Sequence, residues 1–242
     1  MAAPSLSALG PNDGLLLVDK PSGPTSHDLV AQIRRRFRIA KVGHGGTLDP
    51  MATGLLVILL GKGTKISDRV MGHDKTYEGT FRLGVETDSQ DADGQIVAEK
   101  DAAAVTAAQV EEQFKLRLGD QMQLPPMVSA IKIKGVPLYK LARKGETVER
   151  QPRFIHVYRF ELLDFTPPDV RFRVECTKGT YVRTLAHDVG QALGVGAHLV
   201  ALRRTKIGQI DGAQAHPLAE LLEAPALDGK VIPLAAALPL LS

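Results

Sequence analysis

The sequence predicts an α+β fold built on a mostly antiparallel sheet, and three observations lead there. Apolar runs bounded by Gly or Pro, GLLLVDKP (14–21) and GLLVILLG (54–61), read as buried strands. Further on, Val170, Phe172, Val174 and Cys176 alternate with Arg171, Arg173 and Glu175, the pattern of a half-buried strand. Helical stretches fall among the strands without a regular βαβ rhythm, which disfavours a parallel sheet.

The elements follow in order. After the first strand, Thr25 or Ser26 caps a helix on which Leu29, Val30, Ile33 and Phe37 share a face. A glycine-rich loop, VGHGGTLDPMATG (42–54), precedes the second buried strand, and its glycines predict a mobile segment. TKISDRVM (64–71) suits a short helix, KTYEGTFRLG (75–84) an alternating strand and ETDSQDADGQ (86–95) a polar turn. Thr106 to Leu118 reads as an amphipathic helix. The stretch 123–150, rich in Pro, Gly and Lys, suits a basic hairpin-and-helix excursion. FIHVYRFELLDF (154–165) is a strand, TYVRTLAHDVGQALG (180–194) a helix ending at Gly194, and AHLVALRRTKIG (197–208) another strand.

Composition excludes several classes. The 242 residues are 44% apolar and 24% charged, ordinary for a globular chain. No apolar run approaches the ~20 residues of a membrane helix. The N-terminus has neither a basic start nor an apolar core, so no secretory signal is expected and the cytoplasm is the default location. Cys176 is the only cysteine, which excludes intrachain disulfides and cysteine-rich zinc sites.

Charge is uneven. The net charge is +3, yet residues 207–242 carry −3, leaving +6 on the first 206. Basic residues cluster at Arg34–Arg38, Lys132–Lys144 and Arg203–Lys206, and the pI is about 9.0, which suits a polyanionic partner.

Motif searches remove further options. GKGTK (61–65) lacks the spacing of a phosphate-binding P-loop, and the glycine loop lacks the dinucleotide fingerprint. The acidic turn places Asp91, Asp93 and Gly94 as a calcium loop would, but Ser89 and Lys100 occupy its first and twelfth places, which rules calcium out. The histidines show no metal-ligand spacing. Chemistry needing no metal, cofactor or thiol remains, carried by carboxylate, guanidinium and phenol. Asp49 ends the glycine loop, Tyr77 lies in DKTYEG, and Tyr181 and Arg183 open a helix whose N–H groups also favour anions. Singly these have plain readings: Asp-Pro starts a turn, a strand Tyr is core, and a first-turn Arg is solvated.

Six blocks in one order are specific: LLLVDKPSGPTSHD, GHGGTLDPMATGLL, DKTYEGTFRLG, TDSQDADG, TKGTYVRT and GAHLVALRR. Together, over roughly Gly14 to Lys206, they resemble the TruB family of bacterial tRNA pseudouridine synthases, which isomerise uridine 55 in the TΨC arm. The resemblance implies the pseudouridine synthase fold, a mixed and mainly antiparallel sheet flanked by helices and loops, with a basic thumb insertion at about 123–150. It implies that Asp49 is the catalytic aspartate, Tyr77 stacks on the target base, Arg183 pairs with the catalytic carboxylate and Asp91 holds that arginine. It also implies that His44 enters the T-loop and that Tyr181, Lys65, Lys20 and Leu202 bind substrate. No cofactor, guide RNA or membrane is implied, and a monomer is expected. The expected organisation is a disordered leader (1–13), a catalytic domain (14–206) and a C-terminal segment (207–242). Bacterial members commonly continue into an RNA-binding PUA domain, so weaker grip on the acceptor side with catalysis retained is expected.

Two other readings stay open. An RNA chaperone acting on the tRNA elbow would use the same basic surface without needing an acidic pocket. A guide-RNA-dependent relative would need partner proteins and a PUA domain. Whether Asp49 acts as a nucleophile at C1′ or as a base on the sugar is also open.

Overall fold

A capping box starts the helix Ser26–Phe37: Thr25 Oγ1 accepts from Asp28 N–H at 3.1 Å, and the Asp28 carboxylate accepts from Thr25 N–H at 2.8 Å. Leu29, Val30 and Ile33 bury one face as the periodicity predicts, while Phe37 is half-buried. The computed structural model describes Gly10 and residues 13–129, 132–133, 135–138 and 148–241. Most of the 1–13 leader, and residues 130–131, 134 and 139–147 of the expected thumb insertion, lie outside the described residues.

The described strands run in chain order as β1 (Gly14–Lys20), β2 (Val42–His44), β3 (Thr53–Leu60), β4 (Lys75–Leu83), β5 (Val85–Thr87), β6 (Ile96–Glu99), β7 (Gly119–Gln123), β8 (Lys132–Ile133) and β9 (Val136–Pro137). They continue as β10 (Arg153–Thr166), β11 (Asp169–Cys176), β12 (Ala197–Ile207), β13 (Ile210–Asp211), β14 (His216–Pro217) and β15 (Val231–Pro233). The chain divides into two units, residues 1–77 with 202–242, and residues 78–201. Both crossings fall inside strands, β4 and β12.

In the first unit the strand order is β14-β1-β3-β12, with β2 beside β3, β13 beside β12 and β15 beside β1. β1 and β3 pair antiparallel from Gly14↔Leu60 to Lys20↔Gly54, while β12 runs parallel to β3 through Arg203↔Thr53 and Arg204↔Gly54. Leu15, Leu17, Leu55, Val57, Leu59, Ile66 and Val70 form the core. The acidic C-terminal segment joins it: β15 pairs with β1, and Leu234, Ala237 and Leu241 pack into the same cluster. Its short apolar stretches had given no element in the sequence, because each depends on the β1 edge for its partner.

In the second unit the order is β4-β11-β10-β7, with β10 antiparallel to both neighbours. Phe114 stacks on Phe160 at 3.8 Å between centroids, and Phe81 and Phe172 complete the aromatic core. The Thr106 helix is a capping-box helix over Ala107–Lys115. It stops short of Leu118 because Leu116 and Leu118 are exposed and extend no buried face. Two short antiparallel pairs, β5 with β6 and β8 with β9, stand apart from the sheet, and the second lies within the expected 123–150 excursion. The architecture is α+β with a mixed, mainly antiparallel sheet.

Candidate active site

In the first unit, Asp49 occupies a turn closed by Ala52 N–H donating to Asp49 O at 3.1 Å, so Asp-Pro does start a turn. The backbone of the turn is held by hydrogen bonds from several sides. Ser26 Oγ accepts from Leu48 N–H at 2.9 Å and donates to Leu48 O at 3.2 Å. Lys20 Nζ, on a residue with no exposed surface, donates to Pro21 O, Pro50 O and Ala52 O at 2.7–2.9 Å. Gly23 N–H donates to Pro50 O at 2.9 Å. Arg204, also buried, donates to Leu55 O at 2.8 Å, Gly46 O at 3.2 Å and Thr47 O at 3.3 Å. Two of the glycines allow close packing. A Cβ on Gly45 would lie 2.3 Å from Val70, and one on Gly54, at φ +92°, would lie 2.4 Å from Arg204 O.

Burial pushes the Lys20 ammonium down to about 8; the Asp49 charge opposes that shift and Arg204 adds to it. Lys20 thus lies beneath the Asp49 turn with its donors engaged by carbonyls. His44 is half-buried, and its Nδ1 accepts from Gly46 N–H at 3.4 Å. Burial, then His27 and Arg204, hold its imidazole below the usual range, which favours the neutral form at neutral pH. Tyr77 is buried on β4, and Leu202, buried on β12, accepts from Thr53 Oγ1 at 3.3 Å. Lys65 is exposed at the end of the 3₁₀ turn Gly61–Ile66 and lines a shallow cavity of about 360 Å³ with Lys41, Lys62 and Asp13.

In the second unit, Arg183 sits in the first turn of the helix Val182–Ala192, whose N-cap is Tyr181. It is buried, unlike a typical first-turn arginine. Nη1 donates to Ser89 O at 2.8 Å and lies 3.2 Å from Asp91 Oδ2, and Nη2 donates to Val128 O at 2.8 Å. Asp91 Oδ1 accepts from Ser89 Oγ and from Asp93 N–H, so the acidic turn is folded around a guanidinium. Thr184 Oγ1 donates to Gln90 Oε1 at 2.8 Å, tying the same turn to the helix. Tyr181 is held through its backbone: its N–H donates to Gln123 Oε1 at 2.8 Å and its carbonyl accepts from Gln123 Nε2 at 3.1 Å. That N–H is therefore not open to an anion.

Sequence reasoning missed Ser26, Arg204, Gln123 and Ser89, whose contacts engage backbone groups that leave no motif, Ser89 Oγ also donating to the Asp91 carboxylate. Some arginines of the basic clusters are already engaged. Arg203 forms a two-pronged ion pair with Asp19 at 2.8–2.9 Å, Arg204 is buried, and Arg36 donates to Leu222 O and Ala224 O.

Comparisons with known proteins identify the family. A model of the TruB family pseudouridylate synthase N-terminal domain matches residues 34–182. The chain belongs to the TruB family of pseudouridylate synthases. A second model, of the tRNA pseudouridylate synthase B C-terminal domain, matches residues 183–238. A relative named tRNA pseudouridine synthase B from Opitutus terrae is 54% identical over 229 residues, covering 94% of this chain and 95% of the relative. One of the same name from Symbiobacterium thermophilum is 46% identical over 98% of this chain and 80% of its own length. Among solved structures, a chain of a Cbf5–Nop10–Gar1 complex aligns with TM-score 0.69 at 33% identity over 88% of this TruB-family chain. A chain of an H/ACA ribonucleoprotein bound to a substrate RNA containing 2′-deoxyuridine aligns with TM-score 0.66 at 30% identity. This chain spans about half the length of both, 54% and 53%. The mixed, mainly antiparallel sheet with helices expected from the resemblance is therefore observed, while much of the expected thumb insertion lies outside the described residues.

Proposed function

We propose that this chain is a tRNA pseudouridine synthase that isomerises uridine 55 in the TΨC loop, with Asp49 as its catalytic carboxylate. The observation that carries the reading is the placement of Asp49 on a turn whose backbone is held from several sides, in a chain of the TruB family. Such preorganisation suits a group that must meet one sugar carbon repeatedly in the same geometry.

Uracil in a folded loop is stacked, so C1′ and C5 are out of reach until the nucleotide is extruded, at a cost of a few kcal/mol. Tyr77 is proposed to stack on the extruded base, and base–aromatic stacking contributes about 1–3 kcal/mol. Asp49 then attacks C1′ or removes a proton from the sugar. The C1′–N1 bond breaks and the uracil turns; C1′–C5 then forms as the bond from Asp49 to C1′ breaks, or as the proton taken by Asp49 returns to the sugar, and the C5 proton is lost while N1 takes one up, so the product is an isomer. The sequence of bonds is redox neutral and has no external acceptor. Arg183, fixed by Asp91, is proposed to serve the reacting carboxylate, a role carried over from the family resemblance. His44 is proposed to enter the T-loop, and Tyr181, Lys65, Lys20 and Leu202 to contact or support the substrate. Binding then rests on Lys and Arg reading the folded backbone, and it weakens steeply with salt.

The proposed enzyme works as a monomer in the cytoplasm on tRNA without a guide RNA, through a catalytic domain at 14–206 and a C-terminal segment at 207–242. Incubation with unmodified tRNA transcript, followed by chemical mapping of pseudouridine, tests this reading. Conversion at uridine 55 without added RNA supports it. Conversion only with a guide RNA, or remodelling of tRNA without any conversion, refutes it.

A further inference from the structure

Two arginines adjacent in the sequence, Arg203 and Arg204, have opposite fates. Arg203 points to the surface and pairs with Asp19, its side chain 47% exposed. Arg204 is 1% exposed and among the largest fully buried side chains of the described residues. Burying a guanidinium is costly unless its donors are satisfied. Those of Arg204 go to three carbonyl oxygens, and among the described residues none goes to a carboxylate.

The three acceptors lie on both sides of Asp49 in the sequence. Gly46 and Thr47 enter the Asp49 turn, and Leu55 leaves it into β3. One planar group therefore ties both limbs of the turn to each other and to β12. The parallel pairing of Arg204 with Gly54 brings β12 close enough for this, and the absent side chain at Gly54 makes room for the Arg204 carbonyl. The three acceptors are spread around a flat fork of N–H groups, a geometry that the single ammonium of lysine reproduces poorly.

We propose that Arg204 is a positioning residue for catalysis, acting on Asp49 by fixing the two limbs of its turn. The inference rests on the assignment of Asp49 as the catalytic carboxylate. A displacement of about 1 Å in a reacting group can cost on the order of 100-fold in rate, so loosening the turn should act on chemistry and not on RNA capture.

The test measures single-turnover isomerisation of unmodified tRNA transcript at saturating enzyme, and tRNA Kd by filter binding, for the parent, Arg204→Met, Arg204→Lys and Asp49→Asn. We expect Arg204→Met to slow isomerisation by about 100-fold, in line with the cost of a misplaced reacting group, with Kd within about threefold of the parent. Arg204→Lys should fall between. A rate for Arg204→Met within about threefold of the parent overturns the proposal, and so does an equal loss of rate and affinity, the mark of an RNA contact or a general defect. Should Arg204→Met fail to unfold cooperatively, Arg204→Lys decides by the same split. Asp49→Asn separates the two claims. If it turns over, the assignment of Asp49 fails whatever Arg204 does. If it is inactive while Arg204→Met matches the parent, only the role of Arg204 fails.

Discussion

Arg183 and Asp91 form a buried ion pair, Nη1 to Oδ2 at 3.2 Å, with side chains 2% and 7% exposed. The pair is reinforced on both sides: Ser89 O and Val128 O accept from the guanidinium, and Ser89 Oγ donates to the carboxylate. Removing one member of such a pair leaves the other charge buried and uncompensated. Arg183→Met should therefore cost about 3–5 kcal/mol of stability, read as a lower denaturant midpoint with the slope preserved. Arg183→Lys should keep most of the fold and most tRNA affinity while losing most of the rate. If affinity fell as far as rate, Arg183 would be a phosphate contact instead.

Gly54 offers a test of the Asp49 turn that adds no charge. Its φ of +92° disfavours any L side chain, and a Cβ would lie 2.4 Å from Arg204 O. Gly54→Ala should destabilise the chain by about 1–3 kcal/mol through strain and displaced backbone. A denaturation midpoint equal to the parent's would show that the β3–β12 contact yields easily.

Lys20 carries a pH signature. Its folded-state value of about 8 lies below the ordinary 10.5. Between those values the unfolded chain binds a proton that the folded chain has released, so this group makes folding more favourable as pH rises through that window. The ε-carbon resonance of Lys20 in lysine-labelled protein should titrate near 8, and a midpoint near 10.5 would contradict a shift dominated by burial.

Phe114 tests the second unit's core independently of chemistry. It stacks on Phe160 at 3.8 Å with an interplanar angle of 8° and is 1% exposed. Phe114→Ala should cost about 3–5 kcal/mol, measured by urea denaturation.

The strands and the main helices were legible because their apolar periodicity is strong: Val170 to Cys176 alternate, and Leu29, Val30 and Ile33 share a helical face. The C-terminal strands were not, since β14 and β15 are two or three residues long and exist only against β1. At the site, the motif residues were legible as residue types, but their supports were not. Gln123 holds Tyr181, and Arg204 holds Gly46, Thr47 and Leu55, entirely through backbone atoms that any sequence would offer. The close packing around the Asp49 turn left no motif for the same reason. Glycine signals room as readily as motion, and here Gly45 and Gly54 give room to Val70 and Arg204.

The central claim is that Asp49 carries out uridine isomerisation in tRNA. Its most direct test is pseudouridine mapping on unmodified tRNA transcript after incubation with the parent chain and with Asp49→Asn, alongside tRNA binding of both. The account predicts conversion at uridine 55 by the parent, none by Asp49→Asn, and closely similar affinities. Substantial turnover by Asp49→Asn, or a parent chain that binds tRNA and forms no pseudouridine, would contradict it.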